Sequence, residues 1–444
     1  MSFLENINMS KISRKLNKDF EKEVKKHYRW NFTVNVMDAV LFWFGMGFAS
    51  VNTILPAFLR HLTSSNFLIG LVVSLSTLGW FLPQIFSVNY IQKFKRRKDV
   101  ILRWGLGERV PWLFISLLVF YFSEYFSPLF LIIFLVLYAI CVFSGGIQGP
   151  AWLDMLAKVI PLKKRGEFFG WSNFLGGGTG MFAGFLSIYI LRKYPFPSNF
   201  SLCFLITFVA TSISYGFVVS TREPVYPIED NLTSLKEYFS KIPHLLKGDK
   251  NFSSFLLVNI LLSFGGMATA FFAVYALNRL ALPDSQIGVF TALILGAQTI
   301  SSLLWGYLGD RRGYKLIVEI SILSTILASL IAIFSSSLYL FYIVFILTGC
   351  SFSAGMISGQ NIVLEFSTPR MRPTYIALTN TFKAPFIGLS PLLGGAIADR
   401  FSFPLVFLLT ALILSSGFLL LKFLVQEPRH LPPYQPRDIL PRRI

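Results

Sequence analysis

Five polar side chains stand inside stretches otherwise too apolar to tolerate them. They are Asp38 in NVMDAVLFWF, Glu108 and Arg109 in RWGLGERVPW, and Asn380 and Lys383 in ALTNTFKAPFIGLSPLLGG. An ionisable group at bilayer depth is costly, so each is a candidate for handling a proton, an ion or a solute. Asp38, less than two turns into its segment, is the best single candidate for a proton-coupling carboxylate. A shallow, water-exposed place near the headgroups is the competing reading. Glu108 and Arg109 lie about 12 Å from the start of their segment, and neighbouring helical residues point about 100° apart. They are therefore expected not to pair face to face; structural pairing to other helices and a proton or substrate role both stay open. Asn380 and Lys383 are three apart on one helix face, with Pro385 just beyond. The lysine could hold an anionic group, pair with Asp38, or snorkel to the interface.

Other chemistries find few residues. The four histidines, His27, His61, His244 and His430, lie in tails, loops or segment ends, with no HExxH spacing. Cys141, Cys203 and Cys350 sit in apolar runs and read as small buried hydrophobes. No catalytic set, metal site or cofactor is expected, and no GxxxxGK[ST] loop suggests an ATP-driven pump. An intramembrane lipid-modifying enzyme is correspondingly disfavoured.

The elements that must position these residues follow from composition. Of 444 residues 54% are hydrophobic and 14% charged, with mean hydropathy +0.61; an ordinary globular domain has about 25% charged residues. The solvent is therefore a bilayer. Twelve segments reach the roughly 20 apolar residues that a spanning helix needs; the first covers 32–59 and the seventh 252–279. The fold expected is an all-α membrane protein of twelve transmembrane helices in two pseudo-symmetric six-helix bundles. Residues 1–31 form an amphipathic segment for an anionic cytoplasmic leaflet, 32–220 the first bundle, 221–250 a linker, 251–426 the second bundle and 427–444 a tail. The net charge of +18 lies in alternate connections rather than on a soluble face, which argues against nucleic acid. Of 40 Lys and Arg residues, 32 fall on the side of both termini and five on the other, so both termini are expected in the cytoplasm of a cell whose inner membrane holds the chain.

The halves repeat. Asn31-Phe32 aligns with Asn251-Phe252 and Phe44-Gly45 with Phe264-Gly265, both 220 apart, and an offset of 218 lays Val88–Arg97 on Gly306–Lys315. That second stretch, GYLGDRRGYK, places charges in a tight hinge between two apolar segments. Gly306 would permit close helix packing, Gly313 a turn few residues tolerate, and Asp310 could cap the following helix. Arg311 and Arg312 could pair with carboxylates of a neighbouring helix end. Asp154 and Glu365, near the inner ends of the fourth and tenth segments, and Glu319, near the start of the ninth, are expected to partner Arg or Lys of the inner loops.

Twelve segments in two sixes, a central linker and GYLGDRRGYK together resemble the major facilitator superfamily. Its loop signature G-x-x-x-D-R-x-G-x-K/R falls on Gly306, Asp310, Arg311, Gly313 and Lys315, while the first-half copy is degraded at Val88, Gln92 and Lys95. The resemblance implies a latch that holds the cytoplasmic helix ends together when the carrier faces outward. Gln148-Gly149-Pro150 is similar to the end of the family's R-x-x-Q-G element, but Gly145 stands where the arginine would be. The fifth segment is glycine-rich without a Gly-Pro pair, so it lacks the family's antiporter signature. The function expected is secondary transport of a small solute by alternating access, as a monomer. Proton-coupled export of an amphipathic or hydrophobic compound stands ahead of nutrient uptake by symport or uniport.

Overall fold

The computed structural model describes residues 2–122, 127–161, 164–225, 245–367 and 371–431. Most of the linker expected at 221–250 and of the tail expected at 427–444 lies outside them. Helix α1 runs from Ser2 to Gly47, but the side chains that would make residues 1–31 amphipathic lie largely outside the described set.

The first half continues with α2 (Ile54–Leu62), α3 (Asn66–Gln92), α4 (Lys98–Phe122), α5 (Pro128–Val159), α6 (Arg165–Lys193) and α7 (Ser198–Val219). The second half holds α8 (Lys250–Ser263), α9 (Gly266–Thr269), α10 (Phe272–Arg279), α11 (Ser285–Arg312), α12 (Tyr314–Phe334), α13 (Leu338–Phe366), α14 (Arg372–Arg400) and α15 (Phe403–Leu424). Among the described residues, 11 stretches are long and apolar enough to cross a membrane. The first of the twelve expected segments is not among them; the end of α1 carries Asn31, Asn35 and Asp38, and the segment breaks before α2. The seventh is broken at the matching place, between α8, α9 and α10, where Gly265 and Gly266 weaken the helix. Interrupted helices at corresponding depths of two repeats are a physical pointer to a binding site, because freed backbone groups are tolerated only inside protein or beside a cavity.

The repeat extends to individual hydrogen bonds. Asn31 donates to the Arg222 carbonyl at 3.0 Å and accepts from the Arg222 amide at 2.9 Å. Asn251 does the same with Gln426, at 3.1 and 2.8 Å. Each half thus ties the start of its first helix to the chain leaving its last.

We call the end where these clasps lie the base and the opposite end the crown. The halves meet along two helix pairs, α3 with α14 and α6 with α11. Backbones come close at the crown: a Cβ on Gly288 of α11 would sit 2.6 Å from the backbone nitrogen of Ile188 on α6. The apolar core has a matching asymmetry. At the crown one cluster joins both halves, with Phe48, Phe58, Phe134 and Phe204 packed in the same body as Phe271, Phe290 and Phe407. At the base the core splits in two. One cluster holds Val100, Met155 and Phe168 of the first half; the other holds Phe252, Ile317 and Tyr375 of the second. Toward the base α6 buries only the stripe Phe168, Ser172 and Gly176, while Trp171 and Phe174 are exposed, as are Ile300, Leu303 and Tyr307 of α11. The molecule is closed at the crown and parted at the base.

Candidate transport site and gates

A buried charge cluster lies within the first half. The Arg109 guanidinium on α4 donates to the Thr211 carbonyl of α7 at 2.8 Å, to the Gly105 carbonyl one turn back at 2.9 Å, and to Glu108 Oε2 at 2.8 Å. The expectation that Glu108 and Arg109 do not pair is therefore wrong. Their Cα–Cβ bonds diverge, but a long guanidinium curling back along its helix meets the carboxylate of its neighbour. The face of Tyr215 covers the guanidinium at 5.0 Å. Glu108 Oε2 also accepts from Gln148 Nε2 of α5, which leaves Gln148 Oε1 buried without a partner. A Cβ on Gly145 would fall 2.7 Å from Glu108 Oε1. The residue that departs from the family's arginine thus makes the space that Glu108 fills, and the cation comes from α4. Gly145→Ala is accordingly expected to push Glu108 off Gln148 and to cut transport at least tenfold in a folded protein; flux at wild-type speed would refute the fit.

Asp38 is buried, which excludes the water-exposed reading. Its Oδ1 accepts from the Ser214 hydroxyl of α7 at 2.6 Å. Both carboxylates are therefore held by first-half partners. Inside the second half neutral pairs recur: Ser301 with Ser353 at 2.6 Å, and Thr325 with Ser351 at 2.7 Å.

Lys383 stands apart from this cluster. Its Nζ lies 5.6 Å from the centre of the Phe81 ring on α3, across the seam between halves. The pairing with Asp38 is not formed, and no described carboxylate lies within ion-pair reach of the lysine. Asn380, one turn before it, is half-buried.

Sequence reasoning missed the crown gate. Arg60 Nη2 and His61 Nε2, at the end of α2, both reach Asp284 at the start of α11, each at 2.7 Å, and Arg60 also donates to Asn278 at 3.0 Å. Thr53, in the break of the first segment, shares a hydrogen bond of 2.6 Å with Thr291. Asp399, at the end of α14, accepts from the backbone amides of Asn66 and Phe67 at 2.7 and 3.0 Å and from the Ser65 hydroxyl at 3.0 Å, capping α3 from the other half. Its neighbour Arg400 lies over Phe401, while Asp399 bridges the halves. The signal was present as charged residues at segment ends on the charge-poor side, but nothing in one sequence matches Arg60 to Asp284.

At the base every described ion pair stays within its own half. Asp154 meets Arg97 at 2.5 Å and Lys158 at 3.7 Å, and Glu319 meets Lys315 at 4.0 Å, partners of the expected kind. Glu365 pairs with Arg429 at 2.5 Å, a residue beyond α15 rather than in an inner loop. Glu223 went unnoticed; it is fully buried and accepts from the amides of Arg97 and Lys98 at 2.9 and 2.8 Å.

The hinge loop differs in detail from expectation. Gly313, at φ 94°, supplies the turn. Asp310 lies inside α11, so it does not cap α12; it accepts from the Tyr314 hydroxyl at 2.7 Å, while its carbonyl accepts from Arg429 at 2.7 Å. A Cβ on Gly306 would meet open space, so close packing does not explain that glycine. Arg311 lies over the Tyr307 ring at 4.3 Å instead of on a carboxylate.

The pattern of the Major Facilitator Superfamily matches residues 38–283 and 255–441. The chain is 29% identical over 143 residues to multidrug resistance protein MdtG of Dickeya zeae (strain Ech586), 32% of this chain and 34% of that protein. To MdtG of Salmonella typhi it is 31% identical over 129 residues, 29% and 31% of the two chains. The match thus spans about a third of these curated relatives. Among solved structures, a D-xylose-proton symporter aligns with TM-score 0.71 at 13% identity, covering 90% of this chain and 99% of that one. The nucleoside transporter NupG aligns with TM-score 0.63 at 15% identity, covering 88% and 99%. At such identities these structures speak for the fold alone. The two matched ranges together take in both halves of the membrane region. The chain belongs to the Major Facilitator Superfamily and is a multi-pass membrane transporter, not an enzyme.

Proposed function

We propose that the chain is a proton-coupled secondary exporter of amphipathic or hydrophobic compounds, with its base and both termini at the cytoplasm and its crown outside. The observation that carries the reading is the confinement of two carboxylates, buried Asp38 and largely buried Glu108, to one half of a molecule shut only at the crown. The 32-to-5 distribution of Lys and Arg supports the orientation. Outward transport is supported by the named multidrug resistance relatives, over the third of their length that matches.

Glu108 joins three helices through two partners: Gln148 of α5 directly, and α7 through Arg109 and the Thr211 carbonyl. A proton on Glu108 removes the charge that holds the guanidinium on α4. The Gln148 amide can answer by turning Oε1, now without a partner, toward the new O–H donor. Proton occupancy thereby becomes a change in how α4, α5 and α7 pack, which is the form of input that rocking halves require. Asp38 and Ser214 offer a second such site between α1 and α7. When the crown opens the base must close, and Asp310 and Arg311 then stand where a latch across the seam would form. Asp310→Asn is the variant that reads this role.

Protein in liposomes should move a hydrophobic dye against its gradient when a pH gradient is imposed. Glu108→Gln should leave the dye flux indifferent to that gradient. Wild-type flux that ignores the gradient would sink the proton role of Glu108 and Asp38 together.

A further inference from the structure

We propose that Lys383, with Asn380 one turn away, is the headgroup site for an amphipathic organic anion whose apolar body lies on Phe81; this rests on the exporter reading and names its substrate class. Among the described residues the one buried arginine inside a segment is already held, and exposed Arg103 lies over the Phe94 ring. Arg109 is occupied by two carbonyls and Glu108, and Arg97 by Asp154 and the Ile91 and Phe94 carbonyls. Among the described residues half-buried Lys383 meets only an aromatic face, and an ammonium partly withdrawn from water without a counter-charge is unfavourable. Both first-half carboxylates are engaged elsewhere, so the counter-charge that completes this site is a carboxylate, sulfonate or phosphonate from outside the protein.

The surroundings fix the rest of the ligand. Phe81 lies on α3 opposite the lysine, and the neighbouring Trp80, exposed, has its indole over Gly149 of α5. Phe386, three residues after Lys383 and on the same face, packs on Phe264 at 6.1 Å, in the break between α8 and α9. The lysine thus sits on the one helix face that touches the other half at Phe81 and the interrupted seventh segment at Phe264. A neutral or cationic compound there would leave the ammonium unpaired, which makes the site selective as well as attractive.

The test is equilibrium binding of radiolabelled 1-naphthoate and of its uncharged analogue 1-naphthamide to the purified full chain in phosphatidylcholine nanodiscs, with empty discs subtracted. No gradient is present, so failure of proton coupling would leave the result untouched. Naphthoate should bind at least tenfold tighter than naphthamide. Lys383→Arg should keep that preference, and Lys383→Gln should abolish it while naphthamide binding and thermal unfolding stay as in wild type. Equal binding of the two compounds, no binding of naphthoate, or a preference that survives in Lys383→Gln would overturn the proposal. Discs containing phosphatidylglycerol give a further arm. Unchanged naphthoate binding is expected there, whereas complete displacement would assign the lysine to a lipid headgroup and overturn the solute reading.

Discussion

Replacing Arg109 with leucine is expected to abolish transport and to destabilise the first half by about 3–5 kcal/mol, the cost of leaving one member of a buried ion pair alone. The guanidinium is buried and ties α4 to α7, and it is the only cation in ion-pair reach of Glu108 among the described residues. Leucine would leave Glu108 with Gln148 alone and the Thr211 carbonyl without its donor. The double variant Glu108→Leu/Arg109→Leu separates folding from function. It removes both charges, so unfolding in denaturant should return toward wild type while transport stays lost. A single variant as stable as wild type would show that the pair is not held away from water.

The second large effect is expected at the crown. Asp284→Asn removes the charge shared by Arg60 and His61, both at 2.7 Å. Hydrogen bonds to charged groups contribute about 1.5–3 kcal/mol, so the balance should move roughly 10- to 100-fold toward a crown-open form. Thr53 is fully buried in the closed crown, bonded to Thr291, and makes a suitable reporter. With Cys141, Cys203 and Cys350 replaced, Thr53→Cys should react with an impermeant maleimide at least tenfold faster in the Asp284→Asn background. An unchanged labelling rate would mean that the joint apolar cluster, not the ion triad, keeps the crown shut. Asp399→Asn should act more weakly, because that carboxylate is exposed to water.

The fold was legible because its signals are one-dimensional. Apolar length, alternating Lys and Arg, and the 218- to 220-residue offset all survive projection onto a line. The breaks were not seen: Ser50, Asn52 and Thr53 in the first segment and Gly265 and Gly266 in the seventh are too few to end an apolar run, and hydropathy does not register a lost backbone hydrogen bond. Candidate residues were found wherever a charge stood out against apolar neighbours, as at Asp38, Glu108 and Lys383. Their partners were harder, because partners come from other helices. Ser214 and Gln148 look ordinary in sequence, and Gly145 matters through the volume it leaves empty. The crown gate joins residues more than 200 positions apart, such as Arg60 and Asp284, which no local pattern connects. The loop Gly306–Lys315 named the family correctly, yet Gly306 and Asp310 do other things in this conformation than the motif suggests.

The paired clasps of Asn31 on Arg222 and Asn251 on Gln426 turn each half into a ring, its entry fastened to its exit. A ring resists internal shear, so the compliance of the molecule is concentrated where the rings touch. On the proposed reading, mechanical and chemical specification are thereby separated: the rings carry the motion, and seam side chains such as Lys383 set what is carried. A substitution there is expected to redirect the cargo without retuning the machine that moves it.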